Sequence, residues 1–202
     1  DYKTDKTMIG IDVSKWQKDI DFNKLKEAGV EFIIIRVGSS TGINGENFID
    51  SKFIQNITNA NNLNIPVGVY FYSYANSKER AISDAKWVLE QIKDYNVELG
   101  VALDWENWNS FNEFNLSFFG LTNMANEFLK VINDAGYKTL LYSSKTYLEN
   151  MWMDIEYPIW LAHYVKNTTY KDDYEYWQIC SNGQVEGIDA DVDIDIRYLN
   201  QF

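Results

Sequence analysis

Cysteine and histidine are almost missing from this chain, which has one of each among its 202 residues. Because Cys180 is alone, an intrachain disulfide is excluded. Cys180 and His163 together are too few ligands for a structural zinc site, and catalysis that needs two or more histidines is excluded as well. We therefore expect carboxylates to carry any acid–base chemistry, and we predict neither a metal ion nor a cofactor. Cys180 lies in a strand-like run, so we expect it in the core.

Positive charge is also scarce, because 18 lysines and arginines stand against 30 aspartates and glutamates, giving a formal net charge of -12. Such a field disfavours nucleic acids and tight binding to anionic polymers or lipids. No stretch reaches 18 consecutive apolar residues, and residues 1–7 are polar, so no membrane insertion is predicted. The chain begins with Asp1 rather than Met, which is compatible with a mature or excised fragment, so the missing targeting signal says little about export.

What the chain does have is enough apolar residues, 46%, for one substantial core. We predict a polar N-terminal extension over residues 1–7 and a single catalytic barrel domain over residues 8–202. Strand-like runs are found at residues 8–13, 32–37, 67–74, 99–105, 139–143, 158–164, 176–181 and 192–198. Segments with helical apolar spacing lie between the earlier runs, at residues 22–28, 48–60, 77–94 and 117–134.

This alternation predicts an α/β fold, with five βα units followed by three strands. Eight strands can close into a barrel. A regular eightfold (β/α) barrel typically needs about 250 residues, so a barrel with fewer helices fits this shorter chain.

Two acidic residues follow an almost wholly apolar strand, in the segment Leu103-Asp104-Trp105-Glu106. Catalytic groups of barrels lie where strands end. Asp104 and Glu106 are two residues apart on a strand, so both side chains leave on one face. Neighbouring carboxylates cannot ionise independently, and glycosidic cleavage needs one carboxylic acid and one carboxylate. The alternative is that both are the solvated start of a loop.

A second acidic run has aspartates at alternate positions, 189, 191, 193 and 195. An EF-hand counted from Asp189 needs Gly at its sixth position and Glu at its twelfth, but Ile194 and Asn200 stand there. A weak cation site stays open as an alternative. Four ionised aspartates on one face would repel one another, so we expect at least one in a polar cavity shared with Asp104 and Glu106.

Seven segments, in order along the chain, resemble glycoside hydrolase family 25, the N-acetylmuramidase-type lysozymes. They are GIDVSKWQ at 10–17, FIIIR at 32–36, PVGVY at 66–70, ALDWE at 102–106, PIWLAHY at 158–164, WQ at 177–178 and VDID at 192–195. The resemblance implies a flattened eight-stranded barrel that cleaves the β-1,4 bond between N-acetylmuramic acid and N-acetylglucosamine in bacterial peptidoglycan. It also implies an extracellular or cell-wall location, for a secreted or phage-released enzyme, and leaves room for a separate wall-binding domain in the full-length protein.

Carried over residue by residue, the resemblance makes Glu106 the catalytic acid, Asp104 its partner carboxylate, and Asp12 and Asp193 the other two acids. The chain departs from the family at Phe71, where His is frequent, and at Asp195, where Asn is usual. We expect the second change to affect only the barrel rim.

The hypothesised mechanism is substrate-assisted. Glu106 protonates the glycosidic oxygen while Asp104 orients the 2-acetamido group of the substrate, with retention of configuration. Sequence does not decide between this route and a carboxylate nucleophile. A non-catalytic glycan-binding module and a hydrolase of another glycan, such as chitin, are the alternatives.

Aromatic residues make up 16% of the chain, and aromatic faces suit both core packing and sugar contacts. We favour three tyrosines near strand ends for sugar contacts: Tyr72, Tyr142 and Tyr164. Tyr70 and Tyr74 share a strand face with Tyr72, so this choice is loose. Trp160 and Trp177 are assigned to the core.

Overall fold

The computed structural model describes residues 2–199, which contain nine strands and five α-helices. The strands are β1 (Thr7–Val13), β2 (Phe32–Ser40), β3 (Asn47–Ile49), β4 (Val67–Tyr72), β5 (Gly100–Asp104), β6 (Thr139–Ser144), β7 (Ile159–Ala162), β8 (Tyr176–Gly183) and β9 (Val192–Tyr198). The helices are α1 (Phe22–Glu27), α2 (Phe53–Asn62), α3 (Lys78–Ile92), α4 (Phe118–Asp134) and α5 (Lys145–Asn150). Two 3₁₀ helices cover Lys15–Gln17 and Trp108–Phe114.

Eight of the strands close into a barrel, in the order β1, β2, β4, β5, β6, β7, β8, β9 and back to β1. Neighbouring strands are parallel except that β9 runs antiparallel to both β8 and β1. The predicted α/β barrel of eight strands, with five βα units followed by three strands, is therefore confirmed.

The second helix is shorter than predicted, because residue 48 belongs to a strand. Phe48 lies in β3, which pairs antiparallel with the end of β2, and α2 begins only at Phe53. A three-residue strand is too short to show a period of two. The apolar Phe48 is also partly exposed, so it is no part of a helical stripe that faces the core.

The strands bury both faces, which explains their unbroken apolar runs. Along β2, Ile33 and Ile35 pack in the outer layer under the helices, whereas Phe32 and Ile34 fill the barrel interior. Gly10 of β1 makes room for this filling, because a Cβ there would lie 2.6 Å from the Phe32 ring. The interior below the open end of the barrel is therefore packed.

The N-terminal extension contacts the barrel where it is described. The Tyr2 hydroxyl donates to the carbonyl oxygen of Lys166 at 2.8 Å, and its ring packs edge-on against Trp177. Residue 1 and residues 200–202, the outer ends of the two predicted ranges, lie outside the described residues. The division into an extension and a catalytic domain stays a prediction.

Cys180 is half-buried rather than a core residue, which corrects the prediction. The pairing of β8 with β9 shifts register between Gln178 and Cys180, and the following Ser181 and Asn182 are exposed. The strand thus leaves the packed layer at this point. Within residues 2–199, no helix combines the length and the apolar character needed to cross a bilayer.

Candidate active site

A cavity of about 210 Å³ opens at the carboxyl ends of the parallel strands. Seven of the eight barrel strands, or the loops that follow them, contribute its lining, which consists of Asp12, Tyr70, Asp104, Glu106, Tyr142, Trp160, Tyr164, Gln178 and Asp193. Larger grooves of about 590 and 480 Å³ lie elsewhere and contain none of these residues. All four predicted acids, Asp12, Asp104, Glu106 and Asp193, thus line one cavity. Asp193 is the member of the run at 189–195 that shares this cavity with Asp104 and Glu106, as expected.

Asp104 and Glu106 form a close pair of carboxyl groups at this cavity, near enough to hydrogen-bond when one of them is protonated. Asp104 is the last residue of β5 and is 5% exposed, while Glu106 is exposed at the mouth. Burial, and then the neighbouring charge of Glu106, raise the pKa of Asp104 well above its ordinary value. Partial enclosure by protein also raises the pKa of Glu106, and the hydrogen bond from Asp104 opposes that rise. Because both pKa values are raised, the pair holds a shared proton to higher pH than two isolated carboxyl groups would.

One oxygen of Asp104 has no N–H or O–H donor among the described residues. This atom, Oδ1, is buried at the cavity. Buried polar atoms normally have a hydrogen-bond partner. The acceptor is therefore available either to the neighbouring carboxyl group of Glu106 or to a donor on a molecule that enters the cavity.

Trp105 anchors the strand end from the opposite face. It is fully buried, and its Nε1 donates to the carbonyl oxygen of Ala75 at 3.2 Å. The rings of Trp108 and Phe114 pack edge-on against it, each with a centroid separation of 5.0 Å. Alternation along the extended chain then directs Asp104 and Glu106 to the cavity.

Asp12 reaches the same cavity from β1. It is almost fully buried, and its Oδ2 accepts a hydrogen bond from Gln178 Nε2 at 2.6 Å. Burial, followed by the charges of Asp195 and Asp193, raises the pKa of Asp12 well above its ordinary value. Asp193, which is the strand partner of Asp12, lines the cavity, and burial raises its pKa to about 6.

Asp195 corrects the prediction that its side chain concerns only the barrel rim. It is 0% exposed and lies in the interior, where its Oδ1 accepts a hydrogen bond from Trp160 Nε1 at 2.7 Å. The reason is the direction of β9. Because this strand runs against its neighbours, two residues beyond Asp193 means two residues deeper in the barrel. Burial raises the pKa of Asp195 to about 7.

The three predicted sugar-binding tyrosines differ in placement. The hydroxyls of Tyr142 and Tyr164 line the cavity and donate to Gln178 Oε1, at 2.9 and 2.7 Å. Tyr72 is outside the lining and packs against Tyr74. Burial, and then the charges of the nearby Asp104 and Glu106, raise its pKa.

Sequence reasoning did not select Tyr70, which does line the cavity, nor Gln178, which links the tyrosines to Asp12. Tyr70 lies on the same strand face as Tyr72. Alternation therefore indicates that both tyrosines face one way, but it does not show how deep each lies along the barrel axis. Trp177 is in the core as predicted, whereas Trp160 also borders the cavity.

A positive charge that the sequence reading did not assign lies near the acids. Arg36 is paired with the buried Asp50, to which its Nε donates at 2.7 Å, and its charge partly opposes the rise in the pKa of Asp104 that burial and Glu106 cause. Arg36 follows Phe32 and Ile34 at alternate positions of β2, and these two residues fill the barrel interior. This alternation indicates that the Arg36 side chain also faces inward.

The alternative of a cation site in the run at 189–195 gains no support. Only Asp193 and Asp195 of this run belong to β9, while Asp189 and Asp191 precede it and are exposed. In the part of the chain that the structure describes, no three His, Cys, Asp or Glu side chains are arranged to hold a metal ion.

Comparisons with known proteins agree with this geometry. A family model described as "Glycosyl hydrolases family 25" matches residues 11–188. The uncharacterized protein YegX of Escherichia coli K12 is 26% identical over 195 residues, which cover 94% of this chain and 69% of YegX. The autolytic lysozyme of Clostridium acetobutylicum is 26% identical over 191 residues, which cover 93% of this chain and 55% of that protein.

Among solved structures, the modular autolysin LytC of Streptococcus pneumoniae in complex with a synthetic peptidoglycan ligand matches with a TM-score of 0.85 and 27% identity. The match covers 97% of this chain and 48% of the LytC chain. The chain thus spans about half the length of LytC and of the clostridial lysozyme.

Proposed function

The chain belongs to glycosyl hydrolases family 25 and is a glycoside hydrolase, and from this premise we propose that it cleaves bacterial peptidoglycan. The bond we propose is the β-1,4 linkage between N-acetylmuramic acid and N-acetylglucosamine. The relatives named as lysozyme and autolysin, and the peptidoglycan ligand bound to LytC, support this substrate class. An extracellular or cell-wall location follows from the substrate. With a net charge of -12, adhesion to an anionic wall is a task for a separate domain, as the modular build of LytC suggests.

The observation that carries the proposal is the close pair of carboxyl groups of Asp104 and Glu106 at the cavity, where the pKa values of both are raised. In the proposed mechanism the exposed Glu106 is the general acid that protonates the glycosidic oxygen. A general acid must hold its proton at working pH, and a raised pKa provides that. Asp104, deeper in the cavity, acts as the assisting carboxylate.

The unpartnered Oδ1 atom of Asp104 supports a substrate-assisted route. The N–H group of the 2-acetamido substituent is a suitable donor for this oxygen. Such a hydrogen bond favours the ionised form of Asp104 and so moves the shared proton onto Glu106. It also orients the acetamido oxygen to attack the anomeric carbon as the glycosidic bond breaks and the leaving oxygen takes the proton of Glu106. Water, deprotonated by Glu106 acting as general base, then attacks the same carbon and reopens the ring, so the configuration is retained.

The other predicted site residues have supporting roles in this proposal. Asp12 and Asp193 hold water or sugar hydroxyls and set the local negative charge, which stabilises positive charge at the anomeric centre. Tyr142 and Tyr164 face the substrate with hydroxyls already directed to Gln178. Tyr72 contacts a sugar at the edge of the cavity.

A digest of defined peptidoglycan tests the proposal. Wild type, Glu106→Gln and Asp104→Asn are compared, with Glu27→Gln in the exposed part of α1 as the matched control. We expect wild type and the control to release fragments with reducing muramic acid ends, which mass spectrometry identifies. Loss of a general acid typically costs 10²–10⁴-fold, so Glu106→Gln is expected to lose at least about a hundredfold in rate.

Other outcomes would contradict parts of the proposal. Equal hydrolysis by wild type and Glu106→Gln would remove Glu106 from the reaction, and absence of hydrolysis in both would favour a glycan-binding module. Reducing N-acetylglucosamine ends, or faster cleavage of chitin oligomers, would favour another N-acetylated glycan. Trapping a covalent sugar adduct on Asp104 would refute the assisted route in favour of a carboxylate nucleophile.

A further inference from the structure

Beneath the Asp104 and Glu106 pair lies a second contact between carboxyl groups, where Asp12 of β1 meets Asp195 of β9. The strand register pairs Asp12 with Asp193 and Gly10 with Asp195. Asp195 is therefore two residues deeper in the barrel than Asp12, and because Gly10 has no side chain, the space beside Asp195 is open. The two carboxyl groups lie close enough to form a hydrogen bond when one of them is protonated, and both are at least nine-tenths buried.

The other hydrogen bonds of these two groups are fixed by the donors around them. Gln178 Nε2 donates to Asp12 Oδ2 at 2.6 Å, and Trp160 Nε1 donates to Asp195 Oδ1 at 2.7 Å. An indole nitrogen can only donate, so Asp195 Oδ1 must be an acceptor. Asp195 Oδ2 has no N–H or O–H partner among the described residues. This oxygen is left for Asp12.

Two ionised carboxylates in this position would face each other without a hydrogen atom between them. The nearby charges do little to reduce the repulsion between these two carboxylates. Asp193 adds negative charge, and the two arginines of the barrel have carboxylate partners elsewhere, Asp50 for Arg36 and Glu175 for Arg197. A proton between the two groups removes the repulsion and supplies the missing donor.

The remaining titratable groups around the pair are tyrosines and the acids of the cavity. Tyr70, Tyr142 and Tyr164 are close enough for the charge of Asp12 to contribute to raising their pKa values, and Tyr176 feels the charge of Asp195. Tyrosines stay neutral at working pH, so none supplies a compensating charge.

We propose that Asp195 is a positioning residue, which shares one proton with Asp12 and thereby holds the Asp12 carboxyl in place at the base of the cavity. The hydrogen bond from Gln178 holds the same carboxyl from the other side. This inference rests on the proposed function only for the role of Asp12 toward the substrate. Burial raises the pKa values of both groups, which agrees with a retained proton at neutral pH.

Two substitutions at position 195 distinguish the effect of the shared proton from the effect of a hydrogen bond to Asp12. In Asp195→Asn, Trp160 orients the amide, since its N–H group needs the amide oxygen as acceptor. The amide nitrogen then donates to Asp12, so the hydrogen bond stays but no proton is shared. Asp195→Leu removes both. Asp191→Asn, on the exposed loop before β9, is the matched control.

The proton is counted by infrared spectroscopy at neutral pH on protein labelled with ¹³C at the aspartate carboxyl carbons. We expect wild type and Asp191→Asn to show an infrared band from protonated aspartate. In Asp195→Asn this band should be weaker but still present, because the Asp104 and Glu106 pair is unaltered. Equal band areas in wild type and Asp195→Asn would overturn the shared proton. This measurement needs no substrate, so its result stands even if the enzyme fails to cleave peptidoglycan.

Kinetics on peptidoglycan tests the positioning role. We expect Asp195→Asn to keep kcat/KM within about threefold of wild type, and Asp195→Leu to lose at least about tenfold, mainly in kcat. Wild-type kcat/KM in Asp195→Leu, or equal losses in both variants, would overturn the role. If Asp195→Leu does not fold, as judged by circular dichroism, a tenfold loss in the folded Asp195→Asn variant overturns it instead.

Discussion

Gln178 connects two tyrosines to Asp12 in the cavity, and its replacement gives a quantitative prediction. In Gln178→Leu, a side chain of similar size removes three hydrogen bonds: one to Asp12 at 2.6 Å and two from Tyr142 and Tyr164 at 2.9 and 2.7 Å. Net contributions are about 0.5–1.5 kcal/mol for neutral hydrogen bonds and about 1.5–3 kcal/mol for those to charged groups. The tyrosine hydroxyls border the cavity, where water can replace the lost partner. We therefore expect the free energy of unfolding to fall by about 2–3 kcal/mol.

Urea unfolding at neutral pH measures this change, with the dependence on denaturant expected to stay constant. Gln184→Leu is the control, because Gln184 is exposed and donates only to the exposed Asp191. Its effect is expected within about 0.5 kcal/mol. A loss in Gln178→Leu no larger than in the control would refute the reasoning that this amide is a structural link of the site.

Three further predictions concern stability. Both polar side-chain atoms of Asn56 are buried without partners in the described residues, so Asn56→Leu is expected to raise the free energy of unfolding by about 1–2 kcal/mol in urea, and a decrease would contradict this. Gly10→Ala places a Cβ 2.6 Å from the Phe32 ring, so calorimetry should show a lower Tm and a loss of about 1–3 kcal/mol; an unchanged Tm would show that the interior has slack. Because burial raises the pKa of Asp195 to about 7, the folded state binds a proton that the unfolded state releases above about pH 4. Stability should therefore fall as pH rises from about 4 to 7, and less steeply in Asp195→Asn, whereas equal slopes would argue against it.

The main features of the site were predictable because they depend on local alternation. Apolar runs that end in an acid predicted where Asp12, Asp104 and Glu106 would lie, since parallel strands bring their carboxyl ends to one edge. The gathering of these acids with Asp193 in a single cavity agrees with that prediction. Their catalytic roles stay proposals.

What sequence could not give was depth along the barrel axis. Asp195 was placed at the rim because nothing in the pattern of residues 192–198 reveals that the strand runs in the opposite direction. The choice of Tyr72 over Tyr70 fails for a related reason, since alternation puts both on one strand face, whereas in the structure Tyr70 lines the cavity and Tyr72 packs against Tyr74. Strand direction and side-chain placement depend on long-range packing, which the order of residues does not display.

The antiparallel seam between β1 and β9 joins the first strand to the last, and this has a consequence for how the protein folds. Thr7 pairs with Tyr198, so the contact closes a loop of almost the whole described chain. Such closure is entropically costly and tends to be slow. Asp12 and Asp193 face each other across this seam. During synthesis, the acids of the cavity therefore come together only after β9 has left the ribosome, so the cavity cannot form before the last strand of the barrel is available.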